Sequence, residues 1–169
     1  MITELRGGTA VERFHTTGRL SRETVGHHSC NVALLLLRLD PNCSRELLVA
    51  ALTHDLAEVA TGDVPATAKW DNPGLAKELK YSEAQWELDH DVPGARDFLS
   101  DKEIQLLKVA DMADLVMSCV EESKRGNQYA VALVNNGMNW LQKCELLIND
   151  ESLNKRLGAM IMEVQRGSE

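Results

Sequence analysis

Apolar residues along almost the whole chain recur at the 3.6-residue spacing of a helix face, and no stretch alternates apolar with polar as a half-buried strand would. That periodicity restricts the fold to the all-α class. Read with the start and stop signals between apolar runs, it predicts about six main helices. The first covers roughly 22–39 and ends where Asp40-Pro41 discourages continuation. Ser44 is a fitting N-cap for a second that runs through Val59 or Ala60. The segment T-G-D-V-P-A-T-A-K-W-D-N-P-G reads as a loop rich in turn formers, and a third helix covers about 75–88. Ser100 and Glu103 have capping-box spacing and open a long fourth helix to Lys124 or Arg125, stopped at Gly126-Asn127. Two more helices, about 129–147 and 151–166, close the chain, and Gly7-Gly8 merely separates a short N-terminal piece.

A chain of 169 residues has enough length to bury a full core without staples, so one domain over 1–169 is expected. The net charge of −8 and pI near 5.1 disfavour a long electropositive face. A small-molecule ligand is therefore favoured over a nucleic acid polymer. Cys30, Cys43, Cys119 and Cys144 form no C-x-x-C pair and read as reduced, structural thiols. No apolar run is longer than Val32 to Leu37, which is too short to span a bilayer, and the N-terminus lacks a basic start followed by an apolar stretch. The expectation is a cytoplasmic protein with no membrane partner.

His54-Asp55, in A-A-L-T-H-D-L-A-E-V-A-T-G-D, sets two metal-ligating residue types side by side in an apolar helical stretch. A buried carboxylate is tolerated when it is paired or coordinates a cation. Asp55 is in register with Leu48, Ala51, Leu52 and Val59, while His54 is about 100° round the helix and can still reach the same ion. On the first helix His28 shares a face with Val25, Val32, Leu35 and Leu36; on the long fourth helix Asp111 follows Ile104 and Leu107. Each alone has an ordinary explanation, a hydrogen-bonded core histidine or an ion-paired aspartate. Together they bring two imidazoles and two carboxylates to one point, which is what a hydrolytic metal centre with open positions requires. His27 is the competing ligand to His28, and the register favours His28.

These features resemble the HD-domain phosphohydrolase superfamily, whose pattern is H...HD...D. The resemblance covers Arg13 to about Tyr129 through R-F-H-T-T, E-T-V-G-H-H-S, H-D-L-A-E-V-A-T-G-D-V-P-A-T-A-K-W, K-V-A-D-M-A-D and the R-G-N stop. It is closer to the 5'-deoxynucleotidase branch, and R-F-H-T with the short length is most similar to the phage dATP triphosphohydrolases. The resemblance implies a compact HD-domain helical bundle, with a metal-site core at about 13–129 and C-terminal helices at about 129–166. It implies His28, His54, Asp55 and Asp111 as ligands of a divalent ion (Co, Mn, Mg, Zn or Fe), with a second ion near Glu58 and Asp63. Glu58, one turn beyond the doublet, matches the catalytic acidic residue, and Asp55 shares in catalysis. Arg13 and Phe14 match an Arg-aromatic pair that lines the nucleotide pocket, Asp63 a position that contacts sugar or an additional ion, and Lys69 a lysine suited to phosphate. His15 belongs to the phage-like text and adds a cation. Gly26-His27 stands where Ala-Glu is usual, which alters the surroundings of His28.

The expected activity is metal-dependent attack at the phosphorus bonded to O5' of a deoxynucleotide. A triphosphate, dATP first, would yield deoxynucleoside and triphosphate; the alternative is a 5'-deoxynucleotidase that releases phosphate from a monophosphate. A non-catalytic nucleotide-binding regulator is the rival of another class, and intact Glu58 argues against it. Arg19 and Arg22 are weaker phosphate candidates. Trp140, Leu141, Leu146, Leu147, Met160 and Ile161 on the last two helices are expected to support homo-oligomers, with core packing as the alternative explanation of the same residues.

Overall fold

The computed structural model describes residues 2–15, 18–92, 98–145 and 150–168. The described residues form helices α1 (Ile2–Thr9), α2 (Val25–Leu39), α3 (Arg45–Thr53), α4 (Glu58–Thr61), α5 (Ala66–Asp71), α6 (Pro73–Asp89), α7 (Asp101–Lys124), α8 (Ala130–Glu145) and α9 (Glu151–Ser168). The six main helices of the periodicity are α2, α3 and α6 to α9. Among the described residues the one extended pairing is an isolated antiparallel bridge between Glu12 and Thr24. Among the described residues no helix is long and apolar enough to cross a membrane.

Local capping chemistry fixes most boundaries. Ser44 Oγ accepts the Leu47 N–H at 3.0 Å. At α7 both halves of the Ser100/Glu103 box form, and the helix ends in a Schellman motif: Asn127 N–H to Glu122 O at 3.0 Å and Gly126 N–H to Ser123 O at 2.9 Å. Helix α2 starts at Val25 rather than near Arg22. Thr24 caps it, and the preceding residues are drawn into extended backbone by Arg13 N–H to Glu23 O and Val25 N–H to Val11 O, each 2.9 Å. Asn72-Pro73 opens α6 instead of closing a turn, because the Asn72 side chain accepts the Leu75 N–H and proline is well placed at the first helical position. The loop before it contains α5.

The second predicted helix is broken. Helix α3 stops at Thr53, a tight turn carries residues 54–57, and α4 resumes at Glu58. His54 Nδ1 lies 2.8 Å from the carbonyl of Ala51, the acceptor that an uninterrupted helix assigns to the Asp55 amide. The backbone answers with three-residue spacing, Leu56 N–H to Thr53 O and Glu58 N–H to Asp55 O at 3.1 Å each. The register therefore does not carry over to Val59, which is expected on the inner face and is exposed; Leu52, expected there too, is exposed on α3 before the break.

The core joins α2, α3, α7, α8 and α9 through fully buried Leu36, Leu39, Leu47, Leu106, Leu141, Leu153 and Leu157. Leu141, Met160 and Ile161 belong to this core, so burial rather than subunit contact accounts for them. Leu146 and Leu147 lie outside the described residues. Gly7-Gly8 is inside α1, not a separator. A Cβ at Gly8 would stand 2.7 Å from the Leu56 carbonyl oxygen, and one at Gly26 would stand 2.8 Å from Thr9 Cβ. Those two close approaches dock α1 against both the 54–57 turn and the start of α2.

Candidate metal centre

Helix α2 contributes His28, the α3–α4 turn contributes His54 and Asp55, and α7 contributes Asp111. His28 is fully buried; its Nε2 lies 3.2 Å from His54 Nε2, 3.1 Å from Asp111 Oδ1 and 3.7 Å from Asp55 Oδ2. His54 Nε2 is 3.4 Å from the same Asp55 oxygen. His27 is exposed, about 100° round α2 from His28. The structure thus brings His28, His54, Asp55 and Asp111 together from three parts of the chain.

The donor chemistry fits a divalent cation. The Nδ1 of His54 faces the Ala51 carbonyl and the Nδ1 of His28 faces Asp114 Oδ2 at 2.7 Å, so each ring has an acceptor for its Nδ1 proton. Both Nε2 lone pairs then point into a space bordered by two carboxylates, an arrangement that repels itself until a cation enters. Burial opposes charging His28, but hydrogen bonds to Asp111 and Asp114 outweigh it and hold the imidazole up at about 9. Burial likewise opposes ionisation of Asp111, and the His28 hydrogen bond with the nearby imidazole charges outweighs it, holding the carboxyl down at about 2.

Glu58 is buried at the start of α4. Burial, followed by the charges of Asp55 and Asp63, pushes its carboxyl up to about 8. Its Oε1 is 3.8 Å from Lys69 Nζ, while its buried Oε2 has no hydrogen-bond partner among the described residues. A carboxyl that stays protonated near neutrality, with one oxygen uncommitted, is equipped to give a proton.

Asp63 Oδ2 accepts the Phe14 N–H at 2.5 Å. That bond holds Phe14 at a φ of 57°, a left-handed conformation unusual for an aromatic residue. Two guanidinium groups lie near the Phe14 ring, Arg13 at 5.2 Å and Arg19 at 4.6 Å from its centroid. Arg13 Nη1 is buried and has no hydrogen-bond partner among the described residues. His15 is exposed on the same turn. Arg19 is bound to Glu23 at 2.8 Å and Ser118 at 2.7 Å, with its buried Nε unpartnered among the described residues, and Arg22 is exposed beside Glu12.

Residues that the periodicity did not single out surround this set. Asp114 supports His28, and Glu23 lies behind it, bonded to Arg19 and Ser118. Buried Glu122 accepts hydrogen bonds from Leu20 N–H, Ser21 N–H, the Ser21 hydroxyl and the Asn127 amide. A cavity of about 460 Å³ between α2 and α7 lies on this Asp114 side, lined also by Glu23, His27 and Ser118, and not on the side of the converging Nε2 atoms.

An all-helical chain that turns a His-Asp doublet, a second histidine and a distant aspartate toward one point has the architecture of the HD-domain phosphohydrolases. Residues 2–151 match the family described as 5'-deoxynucleotidase YfbR-like. A 5'-deoxynucleotidase of Vibrio vulnificus is 32% identical over 144 residues, covering 72% of this chain and 74% of that protein. A 5'-deoxynucleotidase of Yersinia pestis is 32% identical over 138 residues, covering 69% and 70% respectively. In fold, the chain is similar to the HD phosphohydrolase DatZ of cyanophage S-2L, solved bound to dA and one catalytic Zn2+ ion. The TM-score is 0.74 at 19% identity over 98% of this chain and 97% of that one. The chain belongs to the YfbR-like 5'-deoxynucleotidase family of HD-domain phosphohydrolases.

Proposed function

We propose that the protein is a metal-dependent 5'-deoxynucleotidase that hydrolyses a deoxynucleoside 5'-monophosphate to deoxynucleoside and phosphate. His28, His54, Asp55 and Asp111 would hold the metal. The observation that carries the reading is the pair of Nε2 atoms 3.2 Å apart, each with its Nδ1 facing an acceptor. A divalent ion bound there supplies Lewis-acid activation of water and polarisation of the phosphoryl group. Glu58 holds a proton at its carboxyl and delivers it to the departing O5'. Arg13, with an uncommitted guanidinium nitrogen, binds the phosphate, and Phe14 packs on the nucleoside. Asp63 fixes the turn that carries both.

The cation supply favours a monophosphate. Arg19 is engaged through its Nη atoms by Glu23 and Ser118, and Arg22 is exposed beside Glu12. Arg13, with Lys69 beside the protonated Glu58, is left to bind the anion. A triphosphate such as dATP is the second reading, supported by His15 on the same exposed turn and by the phage-like R-F-H-T text. Incubating metal-loaded protein with dAMP, dATP and their ribonucleotide counterparts, and separating products by chromatography, tests both. Phosphate from dAMP is the expected result; triphosphate from dATP with dAMP untouched would replace the first reading by the second.

A further inference from the structure

We propose that Asp114 is a positioning residue: it fixes which nitrogen of His28 faces the centre and thereby sets how tightly the centre holds a divalent metal. The inference rests on the metal-site reading above. One turn of α7 grips both edges of a single ring. Asp111 Oδ1 lies 3.1 Å from Nε2, and Asp114 Oδ2, three residues on, lies 2.7 Å from Nδ1. An imidazole that ligates through Nε2 must carry its proton on Nδ1, and an acceptor placed there selects that tautomer and stops rotation of the ring.

Packing alone would not put a carboxylate in this place. His28 is fully buried, Asp114 is 4% exposed, and the nearby Glu23 is 5% exposed. The carboxylate oxygens of Glu23 and Asp114 and a ring nitrogen of His28 lie within 4.8 Å of one another. Two such charges around one ring are costly unless each is compensated. Glu23 has Arg19 at 2.8 Å and the Ser118 hydroxyl at 2.5 Å. Asp114 has the ring of His28 at 2.7 Å. Its charge is therefore directed at the ligand, where it raises the basicity of Nε2.

The cavity behind Asp114 supplies a test that a purely structural role would not pass. It is lined by Asp114 itself and is open enough to admit a small carboxylate where the side chain has been removed. Zn2+ affinity is measured by equilibrium competition with a chelator for the wild type, His54→Ala, Asp114→Asn and Asp114→Ala, the last with and without formate. Loss of the acceptor behind a ligating imidazole is worth about 10- to 100-fold in metal affinity. Asp114→Asn, which keeps an acceptor oxygen but not the charge, should fall near the lower end. Asp114→Ala should fall near the upper end and regain affinity in formate. A folded Asp114→Ala protein that binds Zn2+ within twofold of wild type, while His54→Ala loses it, overturns the role of Asp114 and leaves the metal site standing. Wild type and His54→Ala binding alike would remove the metal site and this inference with it. Should Asp114→Ala lack a cooperative melt, Asp114→Asn decides: wild-type affinity there overturns the proposal.

Discussion

Glu122→Gln replaces a carboxylate by a near-isosteric amide at the point where α7 holds the segment leading into α2. Burial and a position in the last turn of a helix both disfavour a negative charge there. The backbone N–H of Leu20 at 2.8 Å, the Ser21 and Asn127 donors and the Arg19 charge outweigh them, holding the Glu122 carboxyl down at about 2 from an ordinary value of 4.5. A depression of that size corresponds to about 3 kcal/mol favouring the folded state when the group is ionised. A folded-state value below the unfolded one means that this stabilisation is complete above pH 4.5 and is lost as pH falls toward 2. About half remains near pH 3.3. The variant lacks the titrating group, so the difference in stability between the two proteins should shrink along the same curve. Urea unfolding of both metal-free proteins at pH 7, 5, 4 and 3 measures it; titrations elsewhere in the chain occur in both and cancel. At pH 7 the variant should also melt roughly 6–12 °C lower. A difference that stays constant from pH 7 to pH 3 would refute the reasoning, since it would show that the ionised form of Glu122 carries none of the stability.

Asp55→Asn should lose nucleotide hydrolysis while its far-ultraviolet circular dichroism matches the parent, and prolonged dialysis of the parent against a chelator should reproduce the loss. Glu58→Gln should cut kcat by about 10²- to 10⁴-fold, as removal of a proton donor does. The parent's rate should decline as pH rises toward and through about 8, where Glu58 loses its proton, with the limb displaced to lower pH by a bound cation; the variant should lack that limb. Asp63→Ala should raise KM roughly 5- to 100-fold with a smaller change in kcat, because it frees a Phe14 conformation that costs about 1–3 kcal/mol to hold. Gly26→Ala brings a Cβ within 2.8 Å of Thr9 and should destabilise by about 1–3 kcal/mol, read from the melting temperature.

What could be read in advance divides along physical lines. Ser44, Ser100 with Glu103, and Gly126 act over three or four neighbouring residues, so their caps and stops are written locally and the helix ends they predict are found. The break after Thr53 is different, because it depends on a His54 ring nitrogen competing for one carbonyl, and the same apolar periodicity would serve a helix that continues. His28, His54, Asp55 and Asp111 were legible as polar residues on or beside apolar faces. The residues behind them were not, since their partners lie far along the chain: Asp114 meets His28 across 86 residues and Glu122 meets Leu20 across 102. A signal was nevertheless present in α7. Asp111, Asp114, Ser118 and Glu122 follow one another at three- and four-residue steps, which is a helix face made of polar groups. Every member of that stripe is turned toward α2 or the segment before it: the first two meet His28, the third meets Glu23 and Arg19, and the last meets Leu20 and Ser21. A helix that keeps apolar residues such as Val109, Ala113, Val116 and Val120 for the core, and a polar stripe for one particular neighbour, is committed to that neighbour's ionisable residues. In such a helix the aspartates are best explained by what they hold, and Asp111 and Asp114 hold the same ring.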